Sequence, residues 1–210
     1  MDKVKTTVYH SSKRLFDLLA SFIGLLILSP LFIFIASLVK LGTSGPIFYR
    51  GVRTGLHGEP FKIFKFRTML PDAEMLGGQV TTKDDPRVTR LGKSLRRYKL
   101  DELPQLINVL KGDMSIVGPR PEVQEYTQLY TEKERLILQV RPGITDYASI
   151  EFVQLDEVVG SESHGLVFEK RVQQILSVKN SLRLKYVKEQ TFSGDIKIII
   201  MTLVKLVKSL

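Results

Sequence analysis

At 210 residues the chain is long enough for one sizeable hydrophobic core, and nothing in it demands two. It has no cysteine, which excludes disulfides and thiolate metal sites, and His10, His57 and His164 lack any zinc-like spacing. The formal net charge of +9 points to an anionic partner: nucleic acid, anionic lipid or a phosphorylated substrate.

The first predicted element selects among these. Residues 18–39 read LLASFIGLLILSPLFIFIASLV, 22 residues without a charge, and about 20 apolar residues suffice to cross a bilayer core. The run is long for the apolar part of a secretory signal, and no small-residue cleavage site follows it. Lys3, Lys5, Lys13 and Arg14 precede it and Lys40, Arg50 and Arg53 follow, so the charge asymmetry expected of a spanning helix is missing. Pro30, near the middle, has no N–H for the Leu26 carbonyl and should bend the helix, while the Ser29 hydroxyl can satisfy the freed carbonyl. Each half is then too short to span alone. A helix-break-helix that dips into one leaflet and returns fits these facts, and a kinked single-pass anchor fits them equally.

Downstream, Phe61 and Ile63 alternate with Lys62 and Phe64, which predicts a short strand or two, and Gly55-Leu56-His57-Gly58 reads as a hairpin tip. Pro71–Leu76 reads as a helix stopped by Gly77-Gly78. A helix is predicted around Arg90–Tyr98 with Leu91, Leu95 and Tyr98 on one face. Another starts at Pro104, with Leu106, Ile107 and Leu110 inward and Gly112 closing it. Residues 122–139 are helical in pattern until Arg141-Pro142-Gly143, residues 145–152 read as extended, and residues 168–188 form a charged amphipathic helix. In the last segment Ile196, Ile199, Ile200, Leu203, Val204 and Val207 make a broad apolar face, with Lys197, Lys205 and Lys208 on the other side. That helix packs on the core or lies in a membrane interface, and the apolar N-terminus favours the interface.

Asp101 and Glu102 stand side by side ahead of the helix begun by Pro104. An acid there commonly caps free backbone N–H groups. One cap does not account for two acids set among Arg96, Arg97, Lys99 and Arg120, the last held between Pro119 and Pro121. Near guanidinium groups a carboxylate is expected to keep a low pKa. An ionised Asp can attack phosphorus, a neighbouring Glu can hold Mg²⁺, and arginines can clamp phosphate oxygens.

Gly45-Pro46-Ile47-Phe48 with Arg53, KFRTM (65–69), DPRVTRLG (85–92), residues 95–122 and RPGIT (141–145) occur in order along the chain. In these motifs it resembles the bacterial sugar transferases, also called monotopic phosphoglycosyl transferases, over essentially its whole length. The resemblance implies a phosphotransferase that moves a phosphosugar from a nucleotide-diphosphate sugar, expected to be a UDP-sugar, to polyprenyl (undecaprenyl) phosphate. That would be the first membrane step of surface-glycan assembly. It implies Asp101 as nucleophile, Glu102 as the Mg²⁺ ligand, and Lys65, Arg67, Arg96 and Arg120 around the substrate phosphates. The implied fold is α+β and mainly helical. A re-entrant membrane helix broken at Ser29-Pro30 (residues 1–41) precedes a small cytoplasmic catalytic domain (residues 42–210) with an interfacial C-terminal helix. The implied location is the cytoplasmic face of a bacterial inner membrane; membrane lipid is an expected partner, nucleic acid is not, and a homodimer is left open. Gly51 stands where many relatives carry Gln, and RPGITDYAS departs from their RPGITG-x-AQ at Asp146 and Ser149. These departures bear on donor-sugar recognition. A non-catalytic membrane scaffold is the alternative.

Overall fold

The structure, a computed structural model, describes residues 3–71, 73, 85–152 and 166–208; for residues 3–8 and 166–174 it describes the backbone alone. Most of the helix expected at 71–76 lies outside the described residues.

Helix α1 (Lys3–Gly42) runs through Pro30 without interruption, so the break expected at Ser29-Pro30 is corrected to one continuous helix. The Ser29 hydroxyl donates to the Leu26 carbonyl at 2.8 Å, the acceptor that Pro30 cannot serve. One face of α1 lies on the rest of the chain. Asp17 and Ser21 are buried, and Asp17 Oδ1 accepts from the Ile116 N–H at 3.0 Å. Arg14 Nη1 donates to the Val109 carbonyl at 2.8 Å, and Lys13 Nζ pairs with Asp195 at 2.8 Å. Further along, Ile35 and Val39 enter a core cluster with Phe66 and Leu95. The opposite face leaves Leu15, Leu19, Phe22, Ile23, Leu26, Ile27, Ile33 and Phe34 exposed. The helix is apolar and long enough to cross a membrane.

The strands are short. β1 (Phe48–Tyr49) pairs antiparallel with β4 (Lys65–Phe66), and β2 (Val52–Thr54) pairs with β3 (Pro60–Lys62) in the expected hairpin. The hairpin tip is a 3-10 turn over Leu56–Gly58, in which His57 takes a left-handed φ of 57°. Helix α2 (Arg90–Arg97) is capped by Thr89 and buries Leu95, while Tyr98 is 45% exposed rather than inward. Helix α3 (Gln105–Lys111) ends on Gly112 at a left-handed φ of 94°.

The inward face of α3 differs from expectation: Gln105, Asn108 and Val109 are buried, and Leu110 is exposed. Asn108 explains why. Its side chain accepts from the Phe64 N–H at 2.8 Å and donates to the Lys62 carbonyl at 3.0 Å, so it satisfies backbone groups at and just beyond the end of the short strand β3. Leu106 instead faces Gly24 of α1.

β5 (Ser115–Val117) pairs parallel with β6 (Gly143–Thr145). The helix expected over 122–139 divides into α4 (Gln124–Thr127) and a 3-10 turn over Glu134–Gln139. Thr131 and Glu134 cap each other reciprocally, with Glu134 Oε2 accepting from Thr131 N and Oγ1, and this restarts the chain as a new turn. The extended stretch expected at 145–152 is likewise corrected. It becomes α5 (Tyr147–Glu151), because Asp146 caps it through Oδ1 to the Ser149 N–H at 2.6 Å.

α6 (Leu166–Glu189) and α7 (Phe192–Lys208) close the chain. Val117, Ile150, Tyr186 and Ile198 form a second core cluster. Beyond Ile198, α7 leaves Ile200, Leu203, Val204 and Val207 exposed. Its first residue, Phe192, meets Phe16 of α1 edge-on at 5.5 Å between ring centres, so the two apolar faces adjoin.

Candidate active site

Two backbone junctions assemble the site. The Gly118 N–H donates to the Thr145 carbonyl and the Gly143 N–H to the Pro119 carbonyl, each at 3.0 Å. These bonds bring the Pro-Arg-Pro turn against β6. A Cβ at Gly143 would lie 2.0 Å from the Gly118 nitrogen, so only glycine permits the approach. The second junction joins the segment after β4 to the cap of α2: the Thr89 N–H donates to the Thr68 carbonyl at 2.9 Å, and Arg96 Nε donates to Thr68 Oγ1 at 3.0 Å.

Between these junctions a 3-10 turn over Leu100–Glu102 carries the two acids, entered through Lys99 in a left-handed conformation at φ 55°. A non-glycine residue there costs about 1 kcal/mol or more, the kind of strain that collects at functional sites. Neither acid caps the following helix, since α3 begins behind Pro104 with no side-chain hydrogen bond at its N-cap. The cap reading therefore lacks its defining contact.

The two carboxylates have opposite surroundings. Glu102 Oε1 accepts from Lys65 Nζ at 2.7 Å. Arg120 embraces the same carboxylate, with Nη1 at 2.9 Å from Oε2 and Nη2 on Oε1. Burial works to raise the Glu102 pKa, but the charges and hydrogen bonds of Arg120 and Lys65 hold it well below the usual carboxylate range. Burial also lowers the Lys65 ammonium, against the pull of Glu102.

Asp101 is 7% exposed, and its Oδ1 is buried with no hydrogen-bond partner. Burial, and then the charge of Glu102, push its carboxyl up to about 6, against the opposing charges of Lys65, Arg96 and Lys99. The low pKa expected from sequence is corrected here: desolvation outweighs the cations when none of them makes a hydrogen bond to the group. At neutral pH roughly nine in ten copies are still ionised. The result is an unpaired carboxylate in a desolvated setting, a basic oxygen free to bond to an electrophile.

The structure thus brings Asp101, Glu102, Lys65 and Arg120 together and sets Arg96 within electrostatic reach of Asp101. Arg67 is turned elsewhere. Its Nη2 donates to Thr43 Oγ1 at 2.7 Å and to the Thr43 carbonyl at 2.9 Å, at the C-terminal end of α1, while Nε and Nη1 are buried and unpartnered.

Behind this site stand Asp146, which the sequence tied only to donor-sugar recognition, and Arg183, which sequence reasoning passed over. The buried Asp146 Oδ2 accepts from the Arg120 N–H at 3.1 Å and lies 3.8 Å from Arg183 Nε. Arg183, 1% exposed, also donates to Glu122 Oε1 at 2.6 Å. Asp146 is therefore a strut for the Arg120 turn, and its place directly after the RPGIT motif was the available signal. At Gly51 the space for a side chain is filled by Tyr49, whose hydroxyl would lie 2.2 Å from an added Cβ.

Among the described residues no group of three or more His, Asp and Glu side chains could hold a metal. Mg²⁺ needs only one or two carboxylates when substrate phosphates supply the remaining oxygens. Asp101 Oδ1 is unpartnered and Glu102 Oε2 accepts a single bond, so the pair fits that demand.

A sequence model of the family described as bacterial sugar transferase matches residues 8–209. The chain is 39% identical over 197 residues to "Uncharacterized sugar transferase EpsL" of Bacillus subtilis (strain 168), covering 94% of this chain and 88% of that one. It is 48% identical over 126 residues to a "Putative undecaprenyl-phosphate N-acetylgalactosaminyl 1-phosphate transferase" of the same organism, covering 60% of this chain and 70% of that one. A "UDP-glucose:undecaprenyl-phosphate glucose-1-phosphate transferase" of Escherichia coli (strain K12) is 40% identical over 197 residues, covering 92% of this chain and 39% of that longer relative.

Proposed function

The chain belongs to the bacterial sugar transferase family, and we propose that it transfers a sugar 1-phosphate from a UDP-sugar to undecaprenyl phosphate through a covalent intermediate on Asp101. The observation that carries this is the contrast within the acid pair: Glu102 is neutralised by Lys65 and Arg120, whereas Asp101 is buried, basic and unpartnered.

In the first step an Asp101 carboxylate oxygen attacks the sugar-bearing phosphorus. A P–O bond to that oxygen forms, the P–O bond to the nucleotide breaks, and the nucleoside monophosphate leaves with the electron pair. In the second step an oxygen of the lipid phosphate attacks the same phosphorus and the Asp101 carboxylate departs. One small site then serves a soluble donor and a lipid acceptor in turn. Arg120 and Lys65 hold Glu102 in place, and Arg96 faces the phosphate from the α2 side. Glu102 would hold Mg²⁺, which would neutralise charge on the leaving phosphate.

Residues 1–41 form the membrane element and residues 42–210 the catalytic part, with α1 entering and leaving the bilayer on the cytoplasmic side. Both ends of the apolar run are tied to one body, which supports this topology. Lys13 and Arg14 bond to α7 and α3, and Thr43 bonds to Arg67. A spanning helix would put residues 13 and 43 on opposite faces of a core about 30 Å thick. Re-entry also sets Asp101 at headgroup depth, where the acceptor phosphate resides.

The test is a reaction with donor alone. Incubation with a panel of UDP-sugars and Mg²⁺, without lipid, should release at most one nucleoside monophosphate per protein and leave a phosphosugar on the peptide carrying residue 101. Continuous release without lipid would indicate a hydrolase, and release without any adduct would remove the covalent route.

A further inference from the structure

A second basic site lies away from the acid pair. A cavity of about 150 Å³ opens where α1, the β2–β3 hairpin tip and the segment before β6 meet, and His10, Lys13, Arg14, His57 and Arg141 line it. It sits at the C-terminal end of α3, whereas Asp101 and Glu102 sit before the N-terminal end of that helix. The site and the catalytic pair are therefore distinct.

The charges in the cavity are unequally used. Lys13 is paired with Asp195. Arg14 donates to the carbonyls of Val109 and Leu110. Arg141 uses only Nε, on the Gly112 carbonyl at 3.1 Å, so both its terminal nitrogens are left over. His10 and His57 make no side-chain hydrogen bond among the described residues, and each ring can donate an N–H. The single acid in the lining, Asp17, is engaged by the Ile116 N–H. Arg14 and Arg141 thus converge on one turn from two sides, against one carboxylate, with unspent donors between them. An anion would complete such an arrangement, and guanidinium forks suit phosphate above all.

The surroundings say which phosphate. The cavity stands at the start of both apolar faces. Leu15 and Leu19, exposed, follow Arg14 on α1, and Phe192, in edge contact with Phe16, opens α7 two residues after the lining residue Gln190. A charged recess bordered by exposed apolar side chains matches the headgroup boundary of a bilayer. A recess of this size has room for a phosphate diester.

We infer that this cavity binds the headgroup phosphate of an anionic phospholipid, as a non-catalytic seat that fixes the N-terminal end of α1 at the membrane surface. This rests on the membrane-facing part of the proposed function and not on its chemistry, so the test reads binding rather than turnover.

The full chain in neutral detergent is unfolded thermally, at constant ionic strength, with dioctanoyl phosphatidylglycerol, with dioctanoyl phosphatidylcholine or with sodium phosphate. Saturating phosphatidylglycerol should raise the Tm by about 4 °C, and the other two should leave it within about 1 °C. Arg141→Gln and His57→Asn should each remove at least half of the rise. Asn tolerates the left-handed φ at position 57, so His57→Asn decides the matter if Arg141→Gln lowers the starting stability. An equal rise with sodium phosphate would make this a site for soluble phosphate, and an equal rise with phosphatidylcholine, which carries the same phosphodiester, would remove the preference for an anionic lipid. A rise that survives both substitutions, or no rise at all, would also overturn the inference. If the lipid shift appears while the donor-alone reaction fails, the seat stands and the proposed chemistry falls.

Discussion

Asp101 and Glu102 are adjacent in the chain, yet only Glu102 is neutralised: Lys65 Nζ lies 2.7 Å from its Oε1, while the Asp101 Oδ1 is buried without a partner. Their titrations are driven apart, one carboxyl up to about 6 and the other well below the usual range. A separation of this kind divides two chemically similar groups into two roles.

The first consequence concerns Asp101→Asn. The substitution removes the attacking oxygen and also a buried, uncompensated charge. Turnover should fall by at least 10³-fold, while stability at pH 7 should rise by about 3 kcal/mol, the equivalent of the raised pKa. Nucleoside monophosphate release and thermal unfolding on one preparation check both. Retained turnover, or a lower Tm, would contradict the assignment.

The pH dependence follows from the same group. Attack requires the ionised form, so the rate of adduct formation should rise about tenfold per pH unit below pH 6 and level off above it. Stability should run the other way. Between about pH 4 and pH 6 the native state holds a proton that the unfolded chain has released, so stability falls as pH rises through that window. Comparing the protein with Asp101→Asn isolates this contribution, because the slope should be absent from the variant, and so remain in the difference between the two, only if Asp101 is its source.

Arg120→Met should leave Glu102 with Lys65 alone. Loss of the bidentate contact should slow turnover at least 10²-fold and destabilise the protein by about 1–2 kcal/mol, a figure kept low because the guanidinium is 34% exposed. Arg120→Lys should recover stability more than turnover, since an ammonium carries the charge but not the fork. Equal recovery of both would mean that Arg120 acts by charge alone.

Asp146→Ala should act at a distance. It removes the acceptor for the Arg120 N–H, the cap of α5 and a charge beside the buried Arg183. A loss of about 2–4 kcal/mol is expected, together with a lower kcat and little change in donor KM. Asp146→Asn should restore most of the cap and much of the kcat. An effect confined to donor KM would instead make Asp146 a specificity residue.

Topology can be tested with single cysteines at Lys3 and Lys197, because the chain has none of its own. Both should be shielded from an impermeant reagent added outside intact cells and labelled after lysis. Labelling of one from outside would require α1 to cross.

What the sequence determined by itself was local or repeated in register. The apolar run, the glycine that ends α3, the hairpin tip at 55–58 and the ordered motifs depend on composition and turn chemistry within a few residues, and they were legible. The contacts that make the site were not. Glu102 is held by Lys65, 37 residues away, and by Arg120, 18 residues away. Asn108 faces inward because it satisfies backbone groups at and just beyond the end of the short strand β3. Asp146 became a strut only when its turn met β5, and it ended an expected extended stretch in doing so. The raised pKa of Asp101 was misjudged for the same reason. Neighbouring cations are visible in a sequence, but desolvation depends on which distant segments close over a side chain, and that only the tertiary structure decided.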